Sequence, residues 1–205
     1  MDEHPAIALI EFGSIAIGAR ASDAIAKKSP VTIVRTGTLH PGKYAILFSG
    51  QVAAVDESYV EGCRFGADCV IDRVFLPDVA PSVYEAILGR RGDWREDTLG
   101  IIETFSMAAV IEAADAAVKG ANVEVVEIRL GDGLDGKGLA HFAGVQADVE
   151  AAIEIGTSRI AHRNQPVWKT IIPRIDAELR AMYAKSTYFQ EGTGRDTRNT
   201  GREGG

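Results

Sequence analysis

The chain contains itself twice. Residues 7–34 read IALIEFGSIAIGARASDAIAKKSPVTIV, and residues 99–126 read LGIIETFSMAAVIEAADAAVKGANVEVV. At a constant offset of 92, Ile10, Glu11, Ser14, Ala16, Ala21, Asp23, Ala24, Lys27, Val31 and Val34 recur as Ile102, Glu103, Ser106, Ala108, Ala113, Asp115, Ala116, Lys119, Val123 and Val126. The match resumes in a slipped register, with GKYAILFSGQVAAVDES (42–58) against GKGLAHFAGVQADVEAA (136–152) at offset 94. VFLPDV (74–79) then matches TIIPRI (170–175) at offset 96. The loop ahead of the middle stretch is therefore two residues longer in the second copy. A period near 92–96 residues is too long for a solenoid and reads as a tandem domain duplication. The first copy spans 6–88, a linker 89–98 follows, and the second copy spans 99–184.

Each copy has one layout. An apolar strand (6–11; 99–104) leads to Ser14 or Ser106, a hydroxyl suited to cap a helix. An alanine-rich helix follows (15–28; 107–119), with lysine near its end, where the helix dipole favours a cation. A second strand (31–37; 122–130) and a third (43–49; 137–143) flank a loop. Gly50 or Gly144 leads into a second helix (51–66; 146–160), and a fourth strand (68–76; 166–172) closes the unit. A proline then starts a short helix (81–88; 174–184). The order β-α-β-β-α-β is the split βαβ of ferredoxin-like α/β (α+β) domains, a fold that hosts many functions.

Charge and composition exclude several classes. The formal net charge of −7 argues against a nucleic-acid partner. No apolar run approaches the ~20 residues needed to span a bilayer, so no membrane partner is expected. The start, MDEHPAIALIEF, lacks the basic region of a signal peptide, which predicts a cytoplasmic protein. Cys63 and Cys69 fit no common zinc or redox spacing and read as two reduced thiols. GDGLDG (131–136) matches G-x-G-x-x-G, but a strand follows it instead of the helix a dinucleotide site needs. It reads as a hairpin loop whose glycines permit tight turns. His4, His141 and His162 are scattered, and no G-x-S-x-G is present, so no catalytic residue is expected. Recurrence of Glu11 with Glu103, and of Asp23 with Asp115, predicts a shared architectural role for these acids.

Taken together, LIEFGSIAIGARASDAIAKKSPVTIV with GKYAILFSGQVAAVDES, and GIIETFSMAAVIEAADAAVKGANVEVV with GKGLAHFAGVQADVEAA, resemble bacterial microcompartment shell domains. The glutamate, the alanine-rich helix ending in lysine, the Gly-Lys strand start and the Gly-x-x-x-x-Val helix start stand in that family's order. The resemblance covers about residues 6–184 and is to the tandem, non-permuted type of propanediol-utilisation compartments. It implies a homotrimer that imitates a hexamer, with six domains around a pore. It further implies a plate that tiles with hexameric and pentameric shell proteins into a facet enclosing enzymes. The loops between second and third strands line the pore: Leu39, His40, Pro41 and Gly42 in one copy, and Asp132, Gly133, Leu134, Asp135 and Gly136 in the other. Lys27 and Lys119 match the family's edge lysine, and Arg174 the arginine after the last strand, whereas the first copy has Asp78 there.

His40 departs from that branch, where a cysteine often precedes Pro-Gly-Lys and three thiolates hold an iron–sulfur cluster. Such clusters favour thiolate ligation, so none is expected here. Three His40 imidazoles on a threefold axis could hold one borderline metal ion. Otherwise they form a ring that sets pore size and polarity and gains charge on mild acidification. The glycine- and arginine-rich tail, 185–205, reads as disordered or as a peptide contacting cargo enzymes.

Overall fold

The protein is described from a computed structural model, over residues 5–188. His4 and most of the expected tail lie outside the described residues. The chain divides into one compact unit ending at Arg174 and a second beginning at Ile175.

The first unit carries copy 1 and copy 2 through its last strand, and the helix expected to end copy 2 falls in the second unit. Copy 1 runs β1 (Ala6–Phe12), α1 (Ile15–Lys28), β2 (Thr32–Leu39), β3 (Lys43–Gly50), α2 (Val52–Gly66), β4 (Val70–Leu76) and α3 (Pro81–Ile87). Copy 2 runs β5 (Thr98–Thr104), α4 (Met107–Gly120), β6 (Glu124–Leu130), β7 (Gly138–Gly144), α5 (Gln146–Arg159) and β8 (Val167–Ile172). The two four-stranded antiparallel sheets have the matching orders β2-β3-β1-β4 and β6-β7-β5-β8. Each copy is thus the expected β-α-β-β-α-β unit. Its edge strand even carries the same irregularity, between Ile33 and Arg35 and between Val125 and Glu127, at the repeat offset.

Both predicted serine caps form. Ser14 accepts from Ile17 N–H at 3.4 Å and Ser106 from Ala109 N–H at 3.2 Å. Asp68 and Cys69, expected to open β4, instead belong with Ala67 to a 3-10 turn that tightens the end of α2. The equivalent turn at 161–163 follows α5, and Asn164 ends it in the left-handed region at φ 51°.

Burial separates the copies. Copy 1 has its own core between sheet and helices, built on Ile10, Phe12, Ile25 and Phe48. Its opposite sheet face, Ile7, Leu9, Leu47, Val74 and Leu76, joins α4 and the interior of copy 2 in one cluster. Every residue of β1 is consequently buried, the pattern of a strand covered on both faces.

The second unit contains α6 (Ala177–Lys185), three residues later than the proline rule predicts. Arg174, at φ 50°, cannot be helical, and Asp176 supplies the cap instead, accepting from Glu178 and Leu179 N–H at 2.9 and 3.1 Å. No residue of α6 is buried.

Candidate functional site

Two features of the first unit are candidates for function: the seam where the copies meet and the pair of loops beside it. The seam begins at Glu11. β1 ends by directing this side chain at the first turn of α4, where Oε1 accepts from Ala108 N–H at 2.9 Å. A carboxylate suits a helix N-terminus, whose exposed N–H groups carry partial positive charge. Its Oε2 is buried without a hydrogen-bond partner. Burial pushes the Glu11 pKa from an ordinary 4.5 up to about 7, outweighing the Ala108 N–H bond, and neighbouring Asp72 adds to the rise.

Beside it lies a buried charge network that spans the copies. The Arg163 guanidinium donates to Asp72 of copy 1 and, at 3.0 and 2.5 Å, to Glu112 Oε2 of copy 2. Asp72 also accepts from the Ser106 hydroxyl, and Arg159 lies 2.9 Å from Glu112. At the far end, Ala80 N–H donates to Asp115 Oδ1 at 2.8 Å. Lys119 pairs with Asp115 at 2.8 Å and reaches the backbone oxygen and carboxylate of Asp78. The expected edge residues Lys119 and Asp78 therefore meet across the seam. Lys27 pairs within α1 with Asp23, at 2.7 Å, and Arg174 ends the first unit. Recurrence of the acids predicts a shared architectural role, and the structure divides them. Glu11 and Asp115 act across copies, while Glu103 pairs with Lys137 at 2.7 Å in its own copy.

The loops expected to line a pore are brought together. His40 Nε2 lies 3.8 Å from Asp135 Oδ1, and both side chains are exposed. Gly131, Gly133 and Gly136 of the second loop have φ between 69° and 76°, conformations that a side chain would strain. Leu39 is only half-buried and packs against the shared core, close to Gly131. The donors here are imidazole and carboxylates. Cys63 and Cys69 are free thiols on α2 and the turn after it, so this loop pair does not fit an iron–sulfur cluster. Among the described residues no group of three or more His, Cys, Asp or Glu side chains is placed to hold a metal ion. No described helix is long and apolar enough to cross a membrane.

The surfaces used at the seam have unused copies. A hollow of about 360 Å3 beside Glu103 is lined by Leu134, Asp135, Lys137 and Leu139. At the matching place in copy 1, Glu11 lies under the first turn of α4, and Ala45 joins the core cluster that includes α4. The start of α1 is likewise uncovered, with Ile15 43% exposed where its counterpart Met107 is 3% exposed.

Comparison with known proteins agrees with the duplication. The family model described as "BMC domain" matches twice, at residues 6–79 and 98–175. The bacterial microcompartment shell protein PduT of Citrobacter freundii is 35% identical over 82% of this chain and 92% of its own. Shell protein EutM of Salmonella typhimurium is 34% identical, with 42% of this chain covering 88% of that one. The crystal structure of a microcompartment protein from Desulfitobacterium hafniense superposes with a TM-score of 0.77 at 39% identity, covering 86% of this chain and 98% of the other. The chain belongs to the BMC-domain family of bacterial microcompartment shell proteins, with two complete domains in one polypeptide.

Proposed function

We propose that the chain is a facet plate of a microcompartment shell, in which three copies close into a ring of six domains around a pore. The observation that carries this reading is the half-used seam. One face of copy 1 receives α4, and the corresponding face of copy 2, the hollow beside Glu103, awaits an α1. Only another chain has a free α1 to offer. A head-to-tail contact of this kind closes into a ring when its rotation permits. The pseudo-hexameric ring has the shape needed to tile with hexameric shell proteins, with pentameric ones at the vertices.

In that ring, His40 and Asp135 lie on adjoining loops and alternate around the pore. Its lining therefore pairs imidazole with carboxylate, a polar constriction for small metabolites. The plate's role is structural rather than catalytic. Native mass spectrometry of the full chain tests the ring, with a mass of three chains expected. Electron microscopy of protein coexpressed with a hexameric shell protein tests the plate, with mixed sheets expected. A stable monomer that joins no sheet contradicts both.

A further inference from the structure

α3 shows how a copy is finished. It packs chiefly on β6 and α4 of copy 2. Its start is held by Ala80 N–H on Asp115, and its apolar face, Val83, Ala86 and Ile87, is sunk in the shared core. The chain after it runs along the outer edge of β6. Gly92 N–H donates to Val126 O at 3.2 Å, and Arg91 pairs with Glu127. The approach is so close that a Cβ on Gly92 would lie 2.1 Å from the Val125 oxygen. β6 is buried from Val125 to Arg129 as a result.

Copy 1 has the same receiving surface, which no described residue fills. Asp23 and Lys27 reproduce the Asp115–Lys119 pair, at 2.7 against 2.8 Å. β2 holds the same edge position and the same bulge as β6, yet Thr32, Ile33, Arg35, Thr36 and Thr38 are all exposed. An open edge strand is a template for unwanted pairing, so proteins generally cover it.

The chain has one more segment of the α3 kind. At offset 96, Leu179, Met182 and Tyr183 of α6 stand where Val83, Ala86 and Ile87 stand in α3. Their i, i+3, i+4 spacing makes one apolar stripe. No residue of α6 is buried, and Met182 is 61% exposed. Asp176 stands where Ala80 does, in place to offer its N–H to an Asp23.

We propose that α6 is an exchanged arm, seating Leu179, Met182 and Tyr183 against β2 and α1 of the next protomer as α3 seats its own stripe against β6 and α4. This rests on the ring of three and adds the residues that lock it. α6 has nine residues against seven in α3, and Lys185 replaces Gly89, which turns the chain at φ 93°. The two segments therefore correspond along the helix and not beyond it.

A benzophenone amino acid at position 182 of the full chain tests the arm. Isotope-labelled and unlabelled chains are mixed under denaturing conditions, reassembled, irradiated and mapped by mass spectrometry. Cross-links joining labelled to unlabelled chains, at peptides within residues 15–39, are expected. Trimers that cross-link only within one chain, or not to those peptides, overturn the arm and leave the ring standing. Unmodified protein that forms no trimer overturns both. As a second measurement, Leu179→Asp with Met182→Asp should raise the trimer dissociation midpoint at least about tenfold while circular dichroism stays unchanged. An unchanged midpoint counts against the arm.

Discussion

The seam inside the chain and its unfilled counterpart are built from one template but from different chemistry. Inside, Asp72, Arg163 and Glu112 form a buried charge network. At the counterpart positions, offsets 96, 94 and 92 put Trp168, Cys69 and Arg20. Trp168 is 48% exposed and Lys137 lies over its ring at 4.7 Å. An intramolecular seam forms at fixed stoichiometry and tolerates buried charges that must be desolvated together. A seam between chains has to associate from solution, where a large aromatic and an arginine are effective anchors. In the proposed ring, the duplication makes one interface permanent and leaves the other as the assembly surface.

Breaking the internal network should have the largest effect. Arg163→Ala strands Asp72 without a guanidinium, leaves Glu112 to the Arg159 guanidinium, and should cost about 3–5 kcal/mol in urea unfolding. Its counterpart change, Cys69→Ala, should cost less than about 1 kcal/mol. Similar losses for both would erase the distinction between the seams.

Glu11 should give the seam a pH dependence. Its folded pKa, about 7, lies above its ordinary 4.5, so the folded state binds the proton more tightly. The associated stability is full below the ordinary value and is lost as pH rises through the folded one, up to about 3 kcal/mol. Glu11→Gln should remove that part of the decline between pH 5 and 8 in chemical denaturation. An unchanged slope would mean the Glu11 carboxyl is not desolvated.

The elements within each copy were legible because helix and strand periods, serine caps and glycine turns are local. So was the loop pair, since two copies of one hairpin must occupy equivalent places. The seam was not. Glu11 and Ala108 are far apart in sequence, and nothing near Glu11 marks it as more buried than Glu103. The contrast between buried β6 and exposed β2 was equally hidden, because it comes from the segment around Gly92. Proline misled at α6: Pro81 opens α3, whereas Pro173 precedes a left-handed arginine.

Next in size is Trp168→Ala. Removing an exposed aromatic should leave the unfolding midpoint of the separate chain within about 0.5 kcal/mol. It should raise the trimer dissociation midpoint about thirtyfold, the effect of an interface anchor, read by analytical ultracentrifugation. Equal trimer stability in the variant would place the assembly surface elsewhere.

The smallest effect concerns one charge reversal. Inside the chain, Lys119 lies 4.0 Å from the Asp78 carboxylate. In the proposed ring the repeat would put Lys27 opposite Arg174, with like charges facing each other. Arg174→Asp should replace that repulsion with attraction. It should also relieve the backbone, since φ 50° suits aspartate better than arginine. Because the pair is exposed, the gain should stay below about 1 kcal/mol, roughly fivefold in dissociation, and fade at high salt. The family resemblance implies instead that the same two residues sit at the plate's outer edge, where Arg174 would aid contact between plates. Tighter trimers with sheets lost in electron micrographs would mean the arginine serves tiling at the ring's expense. Tighter trimers with sheets intact would assign it to the ring alone. Trimers no tighter at low salt would mean that Lys27 and Arg174 do not meet there, and that the two seams diverge in geometry as well as in chemistry.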